Sequence, residues 1–122
     1  MISYQVYKIM HLFGIALLLL GLGLILGAFA TNPAVAKKIR LLGFLSHGLG
    51  LLLALTGGFG MAARLGIVSG LPGWIYGKLA IWLLLGAGIS LTKRKPQWAP
   101  ALLASFAVLV GAATFLAIFK PF

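Results

Sequence analysis

Three ionisable side chains lie within long apolar runs of this sequence: His11, His47 and Lys78. A titratable group is costly inside a membrane, so each of the three marks a candidate functional position. Histidine can ligate a metal through a ring nitrogen, and lysine can bind an anionic group as a compact positive charge. The combination predicts a metal-bearing or anionic ligand.

The chain contains no aspartate, no glutamate and no cysteine, whereas lysine and arginine together number 10. The lack of acidic side chains excludes a carboxylate metal site, a Ser-His-Asp triad and a glycosidase carboxylate pair. The lack of cysteine excludes disulfides, a thiolate nucleophile and a cysteine-ligated cluster. Histidine and methionine remain as ligands, and haem iron accepts both.

Four apolar runs must position these side chains, and they cover residues 9–30, 41–63, 74–91 and 99–119. Each is close to the ~20 residues that a helix needs to cross ~30 Å of hydrocarbon. Hydrophobic residues make up 62% of the chain, which is more than a soluble domain of this length can bury. The first run is long enough to be a retained helix, although Ala28-Phe29-Ala30 resembles a signal-peptide cleavage site.

Turn residues and basic charges separate the four runs by short connections. Short connections make successive helices antiparallel neighbours. We therefore predict an all-α fold, a four-transmembrane-helix antiparallel bundle in which residues 1–122 form a single integral membrane domain.

The basic residues predict the orientation of this bundle. The first and third connections together hold six of them: Lys37, Lys38, Arg40, Lys93, Arg94 and Lys95. The positive-inside rule places these connections in the cytoplasm, so that both termini of a protein of a bacterial inner membrane would be periplasmic. Topology and anionic lipid headgroups explain the positive charge better than nucleic acid does, because no soluble domain is present to bind it.

The orientation also predicts the depth of each candidate residue. His11 and Lys78 lie near the outer ends of the first and third helices and are expected to share a layer, whereas His47 lies nearer the cytoplasm. A single haem held between His11 and His47 is therefore not expected. The predicted site lies in the outer half, with His11 as the metal ligand and with the following neighbours: Lys78, Met61, Arg64, Trp74 and Trp82.

Several partners for Lys78 are open. Its ammonium group could extend to the outer headgroups, or bind a backbone carbonyl or the carboxylate of Phe122. It could also pair with an anionic ligand such as a porphyrin propionate, or with an acidic residue of a partner membrane subunit. His11 and His47 each have a glycine three residues on, Gly14 and Gly50, on the same helix face. The glycine could accommodate a flat ring beside the imidazole, or serve helix packing while the histidine bonds to a neighbouring helix.

Small residues also recur at a spacing of four, as in Gly23/Gly27, Gly73/Gly77 and Ala107/Gly111. Such pairs allow close contact between helices in lipid. We expect them to serve packing within the bundle, and a homo-oligomer is the alternative.

Three stretches resemble known families of small bacterial membrane proteins. Lys8-Ile9-Met10-His11 resembles the K-x-x-H opening of the HemJ-type protoporphyrinogen oxidases and the opening of the SirB family. Trp74-Ile75-Tyr76-Gly77-Lys78-Leu79 resembles the start of the third helix in both families. The stretch from Leu45-Ser46-His47 to Thr56-Gly57 is similar to the second helix of the SirB family, which is the closer resemblance.

The HemJ resemblance implies binding of haem b and oxidation of protoporphyrinogen, with His11 and Lys78 in the functional core. The sequence departs from that family in having no histidine between Ile81 and Leu91. It also lacks the acidic residue that tends to follow the second-helix histidine in the SirB family. Both departures bear on the reaction more than on the fold.

Three functions follow from this pattern. The first is a haem- or porphyrin-associated membrane protein that could be redox-active, with haem b as cofactor and His47 as a further candidate in cofactor binding. The second is a non-catalytic accessory subunit of a larger membrane complex, in which a partner supplies the acid for Lys78. A small transporter is the third, and the almost entirely apolar midplane disfavours it.

Overall fold

A computed structural model of the chain describes residues 2–31, 37–67 and 69–122. It contains four α-helices: α1 (Tyr4–Thr31), α2 (Lys37–Arg64), α3 (Gly73–Arg94) and α4 (Ala99–Phe119). A single 3-10 turn, Pro96–Trp98, precedes α4. The predicted all-α four-helix fold is confirmed. The first three helices extend beyond their apolar runs, and the added residues include basic and aromatic ones.

All four helices are long and apolar enough to cross a membrane, and the chain is a multi-pass membrane protein. Successive helices run in opposite directions, so the two ends of the bundle differ. The terminal end carries the start of α1, the end of α2, the start of α3 and the end of α4. The basic end carries Lys37, Lys38, Arg40, Lys93, Arg94 and Lys95.

The closest packing joins α1 to α2, and glycines spaced by seven residues make it possible. Gly14 and Gly21 on α1 face Gly43, Gly50 and Gly57 on α2. A Cβ added to Gly57 would lie 2.5 Å from the backbone nitrogen of His11, a distance that real side chains do not reach. Small residues let helix backbones approach closely in lipid, where dispersion contacts replace the hydrophobic effect as the driving force.

The α1–α2 pair has an internal two-fold relationship, with each position of α1 matched by the position 36 residues later. The pattern His-x2-Gly-x6-Gly occurs as His11, Gly14 and Gly21 on α1 and again as His47, Gly50 and Gly57 on α2. The contacts follow the same offset, since Gly57 abuts the backbone of His11 and Gly21 abuts that of His47. The two helices are therefore structurally equivalent across an axis that passes between Gly14 and Gly50.

The second pair, α3 with α4, packs large side chains against glycines. The ring of Phe106 lies over Gly88, and the side chain of Leu116 lies beside Gly77. A buried apolar cluster joins the two pairs: Leu18, Leu22, Leu26, Ile81, Leu85, Ala99, Leu102 and Phe106. The indole Nε1–H of Trp82 also donates a hydrogen bond of 3.0 Å to the Leu51 carbonyl, which links α3 to α2.

The glycine pairs spaced by four divide between two environments. Gly73 and Gly77 contact Phe122 and Leu116, as expected for packing within the bundle. A Cβ added at Gly23 or Gly27 would meet no atom of the described residues within 4 Å, so these residues do not show the expected packing there. The glycines spaced by seven occupy the α1–α2 contact, which leaves Gly23 and Gly27 on a different face of α1. A Cβ at Gly111 likewise meets nothing within 4 Å.

Candidate functional site

The His11 side chain is held at the terminal end by a hydrogen bond across the α1–α2 contact. Its Nδ1 lies 2.6 Å from the carbonyl oxygen of Ala54. A carbonyl only accepts, so Nδ1 carries a proton and donates it; in the neutral form of the ring, Nε2 then holds the lone pair. Gly58 faces the ring, since a Cβ there would lie 3.3 Å from Nδ1. The half-buried imidazole is thus fixed in orientation with Nε2 available as a ligand.

Lys78 on α3 lies near His11, at the terminal end of the bundle. The lysine is half-buried, and its Nζ lies 5.9 Å from the ring centroid of Trp74, one turn earlier in the same helix. Lys120 approaches the same indole, with its Nζ 5.5 Å from the centroid. Two ammonium groups therefore flank one indole at the terminal end, next to the His11 layer.

The sequence did not indicate Lys120 as part of this group. The residue follows α4 and adopts a left-handed conformation with φ of 47°, where its backbone N–H donates to the Leu116 carbonyl. This αL residue ends α4 and redirects the chain. The last residue then turns back toward α3, because the Phe122 side chain lies against Gly73. The available signal in the sequence was that the end of α4, which Lys120 follows, lies at the same end of the bundle as the start of α3.

Met61 and Arg64 lie in the last turns of α2, toward the terminal end from Gly57, whose backbone abuts His11. Met61 is half-buried and Arg64 is exposed. Trp82 lies one turn beyond Lys78, toward the basic end, where its indole nitrogen bonds to α2. The aromatic side chain shown beside the cationic groups is therefore that of Trp74.

His47 occupies the equivalent position on α2 but has a different environment. Its side chain is 1% exposed, and its Nδ1 donates to the Leu18 carbonyl at 3.1 Å. Its Nε2 is buried and makes no hydrogen bond to any residue that the structure describes. The Leu85 carbonyl of α3 lies near the ring, so α3 contributes to the burial of His47.

The structure brings together His11, Lys78, Trp74 and Lys120, and it places His47 elsewhere. Leu18, which accepts from His47, lies seven residues beyond His11 along α1, or about 10 Å at the rise of an α-helix. Within the described ranges, no group of three or more metal-ligating His, Cys, Asp or Glu side chains forms. A metal at the terminal end would accordingly take a single imidazole from this chain, that of His11.

Comparison with known proteins finds no relative: no family model, no curated protein and no solved structure matches the chain.

Proposed function

We propose that the chain is a membrane protein that binds haem b or a related porphyrin at its terminal end, where His11 would hold the iron. The observation that carries the proposal is the hydrogen bond from His11 Nδ1 to the Ala54 carbonyl. Metal-bound histidines commonly donate the second ring N–H to a carbonyl or carboxylate, which fixes the tautomer and strengthens the ligand. The same arrangement leaves His11 Nε2 free to bind iron.

The surrounding residues fit the other parts of a haem. Propionates carry negative charge, and Lys78 and Lys120 provide two ammonium groups in a chain that has no acidic side chain to neutralise them. The Trp74 indole, which both ammonium groups approach, adds an aromatic side chain to the proposed site. Haem iron supplies one-electron chemistry when bound, and this chain's residues would bind and orient the group.

The sequence motifs agree with this proposal and extend it. The openings of α1 and α3 resemble those of HemJ-type and SirB-family proteins, and His11 and Lys78 are the residues that those motifs share. Under the positive-inside rule the basic end is cytoplasmic, which places the terminal end and the proposed site on the periplasmic side of a bacterial inner membrane.

An absorbance spectrum of the detergent-purified protein tests the proposal. The chain is expressed with a haem precursor supplied, and spectra are recorded for the oxidised and the dithionite-reduced forms. A Soret peak with reduced α and β bands, at about one haem per chain, is the expected result. Helical protein with a featureless spectrum, both as purified and after titration with hemin, would overturn the proposal.

The accessory-subunit function is the second candidate, and one observation favours it. Lys78 is half-buried in a chain with no aspartate or glutamate. A homo-oligomer cannot supply an acidic side chain, because every copy lacks one, so a partner acid has to come from a different membrane protein. Co-purification of a stoichiometric partner that is lost on Lys78→Met but retained on Lys93→Met would support this function.

A further inference from the structure

A shallow apolar groove runs between α1 and α4 in the half of the bundle nearer the basic end. Its volume is about 350 Å³, and its walls include Leu19, Gly23 and Leu26 from α1 and Leu103, Ala107 and Val110 from α4. This volume lies within the range of roughly 300–1,000 Å³ that is typical of ligand sites. Two small residues, Gly23 and Ala107, keep the groove open, and a Cβ added at Gly23 would meet no described atom within 4 Å.

The groove extends toward the basic end of the bundle. α1 runs toward the basic end through Leu26, and α4 starts there, directly after Lys95 and the 3-10 turn that contacts α1. The Nζ of Lys95 lies 5.7 Å from the ring centroid of Trp98, and this indole is 48% exposed. Tryptophan and lysine are the side chains that anchor proteins at lipid headgroups, where an indole bridges the apolar and polar layers. The first turn of α4 contains no acidic residue, and no side chain caps it. The positive end of the helix dipole lies here, so this end of the helix favours an anion.

From this combination we propose that the groove is a binding site for one anionic phospholipid. An acyl chain lies between α1 and α4 along Gly23 and Ala107, and the phosphate lies at Lys95 beside Trp98. The apolar walls disfavour a soluble anion as the occupant of the groove, and the positive charge of the basic end, toward which the groove extends, favours an anionic headgroup over a zwitterionic one. This site lies toward the opposite end of the bundle from His11, so it is independent of the proposed haem site.

Native mass spectrometry of the full chain in detergent tests the site. The protein is titrated with phosphatidylglycerol or with phosphatidylcholine of identical acyl chains, and the fraction of protein with one bound lipid is measured. We expect one saturable site that prefers phosphatidylglycerol about fivefold or more, which is the contribution of roughly one lysine near a membrane surface. Equal binding of the two lipids, or binding without a saturable first site, would overturn the proposal.

Two variants separate the contributions of the groove and of the charge. Gly23→Leu fills the groove and should weaken the binding of both lipids while keeping their ratio. Lys95→Gln should abolish most of the preference for phosphatidylglycerol, about fivefold, while leaving phosphatidylcholine unchanged. Ala107→Leu fills the groove from α4 and replaces Gly23→Leu if that variant loses helicity.

Matched controls lie on α2, which makes no contact with α4 in the described part of the chain. Gly48→Leu adds the same side chain at a position where a Cβ also meets nothing within 4 Å. Lys38→Gln removes a different charge from the basic end. Both controls should bind lipid like the unmodified chain, and a loss as large as that in Gly23→Leu or Lys95→Gln would show that no specific site exists.

Discussion

His11 and His47 donate equivalent hydrogen bonds in opposite directions across the α1–α2 contact. His11 Nδ1 donates to the Ala54 carbonyl, and His47 Nδ1 donates to the Leu18 carbonyl. The donors are 36 residues apart in sequence, and so are the acceptors. The pair is pseudo-symmetric in these contacts but not in burial, because His47 is 1% exposed whereas His11 is half-buried at the terminal end.

The first prediction uses this difference in environment. His11→Ala should abolish bound haem, because it removes the proposed axial ligand, whereas His47→Ala should leave most of the haem in place. The readout is the Soret absorbance per folded chain, with helicity measured by circular dichroism. Each variant loses one interhelical hydrogen bond of the same kind, so each is the other's control for a general loss of stability. Haem loss in His47→Ala with retention in His11→Ala would contradict the assignment of the site.

The second prediction concerns the glycines of the α1–α2 contact. Gly50→Ala should destabilise the protein by about 1–3 kcal/mol, since overpacking a tight contact forces the backbones apart. A Cβ at this position would lie 2.7 Å from the Cα of Leu18. Gly48→Ala is the control, because a Cβ there meets nothing within 4 Å, and its stability should change little or rise. Thermal unfolding in detergent measures both, and equal midpoints would argue against the close α1–α2 packing.

The same contact shows what the sequence could and could not predict. Apolar runs of membrane-spanning length and the intervening turn residues were sufficient for the fold, because a helix in lipid must satisfy its own backbone hydrogen bonds. The residues that set the helix contacts were harder to find. Gly23 and Gly27 match the small-residue motif yet lie away from the α1–α2 contact, whereas Gly50 and Gly57 belong to a spacing of seven that extends over the whole pair.

The candidate site was predictable only in part, for a related reason. The proximity of His11 and Lys78 follows from their depth, since both lie near the same end of antiparallel helices. The Ala54 carbonyl as the partner of His11 does not follow, because backbone acceptors carry no signal in the residue types. Lys120 joins the group only through the turn after α4.

The third prediction concerns the link between the two helix pairs. Trp82→Phe keeps an aromatic ring but removes the hydrogen bond to the Leu51 carbonyl, and it should lower the free energy of unfolding by about 0.6–1.7 kcal/mol. Trp98→Phe is the control, because Trp98 is 48% exposed. Unfolding of both variants in mixed detergent measures the difference. A Trp82 variant as stable as the Trp98 variant would show that this hydrogen bond contributes nothing to the association of α3 with α2.

The fourth prediction separates the two proposed functions at Lys78. If Lys78 binds a propionate, Lys78→Met should speed haem release about tenfold or more, since a hydrogen bond to a charged group contributes about 1.5–3 kcal/mol. Lys78→Arg should keep most of the affinity because it retains the charge, and Lys93→Met at the basic end should have no effect. Transfer of haem to excess apomyoglobin measures the rate. Unchanged release from Lys78→Met would remove the propionate role, and loss of a co-purifying membrane partner in the same variant would then assign the lysine to a subunit contact.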